Sequence, residues 1–160
     1  MQPGSATRLI IACAISFAPT LTGLLFTTRQ ALSTWYANLN KPFFTPPGWL
    51  FGPVWTTLYL LMGISAFLVW QKGLENRPVR IALLLFLVQL ALNALWTPLF
   101  FGLQNPLLAF VEIIVLLAAI LLTIIFFAKV SALPALLLCP YILWVAFAAV
   151  LNASIWILNR

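Results

Sequence analysis

The chain has 160 residues, 64% of them hydrophobic and only 6% charged, with no histidine, two acids and a formal charge of +6. A soluble domain carries roughly a quarter charged residues and could not hide this much apolar surface, so the composition requires an integral membrane protein, read as one domain over residues 1–160. With Glu75 and Glu112 the only carboxylate side chains, a transition-metal site, a histidine-based nucleophile and a paired-carboxylate hydrolase are all disfavoured.

Backbone groups in lipid must be satisfied within the protein, which leaves helices or closed barrels. Long unbroken Leu/Ile/Ala/Phe runs, without the alternation a barrel needs, predict an all-α bundle. The eight basic residues are scattered at segment ends, as topology signals are, and do not form a nucleic-acid patch. Cys13 and Cys139 lie inside apolar runs and read as small buried hydrophobes.

Five spans are predicted, at about 9–26, 49–70, 81–101, 106–128 and 134–158. Each approaches the ~20 residues needed to cross ~30 Å of hydrocarbon. The first contains Pro19. The second is bounded by Trp49 and Trp70, as an aromatic belt would be. Pro106 and Pro134 stand at helix starts, where a missing N–H costs least. Pro53, Pro98 and Pro140 lie within later spans and predict kinks. Gly63 and Ala66 predict a close helix contact on the second span.

Five spans put the termini on opposite sides. Arg8, Lys72, Arg77, Arg80 and Lys129 fall on the N-terminal side, against Arg29, Lys41 and Arg160 on the other. This weakly favours a cytoplasmic N-terminus.

The only long loop joins the first two spans. It carries Pro42, Pro46 and Pro47 with Trp35, Tyr36, Phe43 and Phe44. Prolines fix φ and lower the entropy lost on ordering, and the aromatics give the loop something to bury. A lid folded over the bundle is expected rather than a floppy linker.

Depth along the helices points to a site beneath that lid. At ~1.5 Å per residue, Trp55 lies roughly 9 Å and Asn93 roughly 12 Å below the lid face. Trp55, Tyr59, Met62 and Ala66 form one helical stripe; Gln89, Asn93, Trp96 and Phe100 form another. Trp144, Ala148 and Leu151 form a third, with Tyr141 and Asn152 beside it. Flat indoles with alanine gaps and a few amides and hydroxyls suit a large planar apolar ligand. The alternative reading is packing: the tryptophans as helix contacts, and Asn93, Asn152 and Gln89 as interhelical glue. Asn152 reads as glue, and Asn93 fits either role. Glu112 is a carboxylate within an apolar span, which raises a proton-coupled exporter as a separate reading.

The motifs W-Y-x-x-L-x-K-P from Trp35, P-P-x-W from Pro46 and F-G-P-V-W-T-x-L-Y-x-x-M-G from Phe51 are joined by three more. These are Q-L-x-L-N-x-L-W-T-P-x-F-F from Gln89, P-Y-x-x-W from Pro140, and Leu151-Asn152. Together they resemble the translocator protein family, the tryptophan-rich sensory proteins or peripheral benzodiazepine receptors, in the right order over most of the chain. The resemblance implies a five-helix, lid-covered, homodimeric receptor or carrier in a bacterial-type cell membrane. Its ligand would be a porphyrin or haem, with no further cofactor and no metal site.

By that resemblance the pocket residues are Tyr36, Pro46, Trp55, Tyr59, Asn93, Trp96, Trp144 and Ala148. It also implies an enzyme-like alternative, light-dependent porphyrin degradation using Trp55 and Trp144. Two departures stand out. Ala153 occupies a position where the animal sterol motif needs tyrosine, which weighs against a sterol partner. Phe43 and Phe44 replace frequent tryptophans in the lid.

Overall fold

The structure, a computed structural model, describes residues 3–27 and 34–160. Arg29, counted above among the basic residues of the lid side, lies outside the described residues, as does the early part of the loop. The described residues are helical, without a strand. Five stretches are long and apolar enough to cross a membrane: Gly4–Phe26, Gly48–Trp70, Arg77–Gly102, Pro106–Val130 and Ala132–Leu158. The protein is therefore a multi-pass integral membrane protein. The first, third and fifth spans start earlier than the apolar runs suggest. Hydropathy marks only the part that meets hydrocarbon, whereas the hydrogen-bond ladder continues into the headgroup layer.

The first span is two helices, α1 (Pro3–Ser16) and α2 (Pro19–Phe26). Pro19 has no N–H to give, and the ladder tightens around it: Ala18 N–H donates to Ile15 O and Thr20 N–H to Phe17 O. A short helix, α3 (Trp35–Asn38), lies in the lid. The second span, α4 (Gly48–Trp70), starts after the extended Pro47 and runs through Pro53.

The third span begins as α5 (Arg77–Thr97), with Pro78 in its first turn. It ends in a π turn over Pro98–Gly102, where Leu103 N–H reaches back to Pro98 O at 2.8 Å. The fourth span is α6 (Pro106–Val130). Asn105 caps it by accepting from Leu108 N–H, and Lys129 in its last turn complements the helix dipole. The fifth span divides into α7 (Ala132–Leu137) and α8 (Cys139–Leu158), with the break just ahead of Pro140.

The spans form a closed ring. The first packs on the second through α1 and on the third through α2; the third packs on the fourth, the fourth on α8, and α7 returns to the second. Gly63 permits a close contact between the first and second spans, since a Cβ there would sit 2.7 Å from Cys13 Cα. The second and fifth spans meet mainly through α7 and only lightly through α8. They part toward the lid face, and the side chains that fill this opening are the aromatic ones described next.

Candidate functional site

The deepest layer is a hydrogen-bonded chain across three spans. Tyr59 Oη donates to Asn93 Oδ1 at 2.9 Å, and Asn93 Nδ2 donates to Tyr141 Oη at 3.1 Å. Tyr141 Oη in turn donates to Gln89 Oε1 at 2.8 Å. All four side chains are buried. Asn93 and Gln89 thus act as the glue that one reading of the sequence offered, and Tyr59 is wall and core at once. Tyr141, at the centre, was read only as a neighbour of the fifth-span stripe; its motif P-Y-x-x-W marked it, but its partners were not legible.

One turn nearer the lid the rings begin to open outward. Trp55 stacks on Tyr59 with centroids 5.3 Å apart and meets Tyr141 edge-on at 6.3 Å. Across from it, Trp144 contacts Phe51 at 5.9 Å and Phe147 at 5.6 Å. Trp55, Trp144 and Ala148 are half-buried and pack on the same core. Along the second-span stripe burial deepens from half-buried Trp55 to Tyr59, Met62 and Ala66, all buried, so only its upper end faces an opening. Two buried donors, Trp144 Nε1–H in this layer and Gln89 Nε2–H in the layer below it, have no partner among the described residues.

Tyr36 and Trp96 belong to a neighbouring cluster. Trp96 stacks on Phe100 at 4.9 Å, and Tyr36 packs against Phe100 and Phe101 at 6.2 and 5.6 Å. The π turn delivers both phenylalanines. Trp96 Nε1–H donates to Asn152 Oδ1 at 3.1 Å, and Asn152 Nδ2–H donates to Pro106 O at 2.7 Å, joining three spans. Asn152 is glue, as read. Trp96 also packs on the main core, so it links the two clusters.

The lid lies over both clusters. Phe44 reaches Phe147 at 6.3 Å, and the fully exposed Phe43 meets the Phe44 ring edge-on. Lys41 Nζ donates to Ala37 O and Leu39 O and sits 4.6 Å over the Tyr36 ring. Burial pushes the Tyr36 phenol above its ordinary pKa, so it remains a neutral donor. A clamp missed in the sequence holds the loop down: Asn40 N–H donates to Asn159 Oδ1, and Asn159 Nδ2–H donates to Asn40 O, both at 2.9 Å. An asparagine just past a helix end was its only signal. Pro46 is half-buried in the lid.

The rings therefore converge, but largely on one another. Two concave spaces lie elsewhere, one of 580 Å³ at the opposite face and one of 380 Å³ between the first three spans. Among the described residues no cluster of His, Cys, Asp or Glu has the make-up of a metal site.

A sequence model of the TspO/MBR family matches residues 9–157. The chain belongs to this family. It is similar to the tryptophan-rich protein TspO of Archaeoglobus fulgidus, 48% identical over 151 residues that cover 94% of each chain. It is also similar to protein CrtK of Rhodobacter capsulatus, 40% identical over 93% of this chain and 89% of the relative. The human translocator protein is 40% identical over 91% of this chain and 88% of its own. The TspO/MBR match takes in all five spans and the whole aromatic site.

Proposed function

We propose that this chain is a membrane receptor or carrier for porphyrins or haem, serving tetrapyrrole homeostasis or stress response from a bacterial-type cell membrane as a homodimer. The observation that carries the reading is the set of aromatic rings around Trp55 and Trp144 that packs between α4 and α8 above a fixed polar floor. An orphaned buried donor costs about 1–3 kcal/mol. A guest offering a carboxylate to Trp144 Nε1–H would recover that cost, while its planar face replaces the ring-on-ring contacts. Tyr36, Pro46, Tyr59, Asn93, Trp96 and Ala148 complete the proposed pocket. Family membership supports the assignment.

Titrating the purified protein with protoporphyrin IX should quench tryptophan fluorescence saturably. A Trp55→Phe, Trp144→Phe double variant should weaken binding at least tenfold; unchanged affinity would remove the site.

Two other readings have observations in their favour. Trp55 stacked on Tyr59 is an oxidisable pair beside the proposed guest, which suits light-driven oxidation of a bound porphyrin by dioxygen. Illumination should then give a bilin-like absorption beyond free-porphyrin controls. Glu112 is buried, with neither carboxyl oxygen hydrogen-bonded among the described residues, which suits a proton-coupled exporter. In that case Glu112→Gln abolishes pH-dependent flux in liposomes, and retained flux ends the idea.

A further inference from the structure

We propose that the face opposite the lid carries a second site, for a phosphate-bearing anion, and that its occupant is the headgroup of an anionic phospholipid. The site is the 580 Å³ cleft where the first, second and fifth spans meet. It is independent of the tetrapyrrole pocket, a full span away.

Two cations, Arg8 and Lys72, line the cleft together with the neutral donors Ser5, Gln71 and Ser131, and no acid does. Its walls are tied to one another. Gln71 Nε2–H donates to Ser5 Oγ at 3.2 Å, joining the end of α4 to the start of α1. Ser65 Oγ–H donates to Pro134 O at 2.6 Å, pinning α7 to α4 on the membrane side of the cleft. The Arg8 guanidinium lies 5.8 Å over the Trp70 ring, whose face attracts the cation and leaves N–H groups for an oxyanion.

Depth favours a lipid over a free ion. Lys72 stands two residues beyond the end of the second span, at headgroup level. Leu68 and Leu133 line the same cleft, and Leu133 is exposed on the outer surface of the bundle. A phosphodiester between the cations would direct its glycerol and acyl chains along that apolar side. A free phosphate has no use for it.

Native mass spectrometry of the full chain, released from mixed micelles, tests the proposal. Phosphatidylglycerol should be retained in preference to phosphatidylcholine. A basic residue at a membrane surface contributes about fivefold in affinity for anionic lipid. Arg8→Gln with Lys72→Gln should therefore lower retention about 25-fold. Arg77→Gln with Arg80→Gln removes equal charge from the same end at residues that do not line the cleft, and should lower retention clearly less than the cleft pair does. Unfolding midpoints without added lipid verify that both variants fold. Equal retention of the two lipids, or equal losses in the two variants, overturns the site. Displacement of phosphatidylglycerol by millimolar inorganic phosphate assigns the cleft to the free ion and overturns the lipid.

Discussion

Asn93 uses both ends of its amide, accepting from Tyr59 and donating to Tyr141. Interhelical hydrogen bonds in membranes average ~0.6 kcal/mol and reach ~1.7. Asn93→Leu removes two and should lower stability by about 1–2 kcal/mol, read as an earlier unfolding transition in detergent. Tyr59→Phe should cost about half as much. The two indoles make a sharper contrast. Trp96 Nε1–H is satisfied by Asn152, whereas Trp144 Nε1–H is an orphan. Trp96→Phe should cost about 1 kcal/mol, while Trp144→Phe should leave stability within about 0.5 kcal/mol and weaken porphyrin binding. Equal losses of stability would mean Trp144 is merely structural. Residue type and depth made Asn93, Trp96 and Trp144 stand out in the sequence. Which of them were already partnered was invisible there, because partners come from other spans.

Among the elements, the prolines act at three sites as breaks rather than gentle kinks. Pro19 splits the first span, Pro98 opens the π turn, and the fifth span parts ahead of Pro140. Each places a joint that departs from the α-helical ladder within an otherwise apolar span, and two of the joints serve the site. The π turn presents Phe100 and Phe101 to Tyr36, and the Leu138 joint re-aims α8 away from α4. Small residues act in the opposite sense, drawing elements together. At Gly63 an added Cβ meets Cys13 Cα at 2.7 Å and Cys13 Sγ at 2.8 Å. Gly63→Ala should cost about 1–3 kcal/mol by forcing α1 from α4. Adding Cys13→Ala should recover only part of the loss, since it relieves the sulfur contact and leaves the backbone one. Full rescue in thermal unfolding would contradict the close backbone approach.

At the scale of the molecule, the lid and the fifth span form one unit through the Asn40–Asn159 pair. Two hydrogen bonds contribute roughly 1–3 kcal/mol together, so Asn159→Ala should raise the opening rate of the loop about tenfold or more. Faster amide exchange over residues 34–47, with unchanged exchange in the spans, is the expected result. Porphyrin dissociation should accelerate in parallel if the guest leaves beneath the lid.

Composition and the apolar runs were sufficient for the membrane, the five helices and the side on which the unusual residues gather. Those properties depend on transfer of side chains from water and on backbone groups satisfied within a single span, and both are local. The ring order of the spans, the tyrosine–asparagine floor and the Asn40–Asn159 clamp had to wait for the packed chain. So did the basic cleft at the far face. Each is a contact between residues dozens of positions apart, and local periodicity carries no information about which neighbour a helix face will meet.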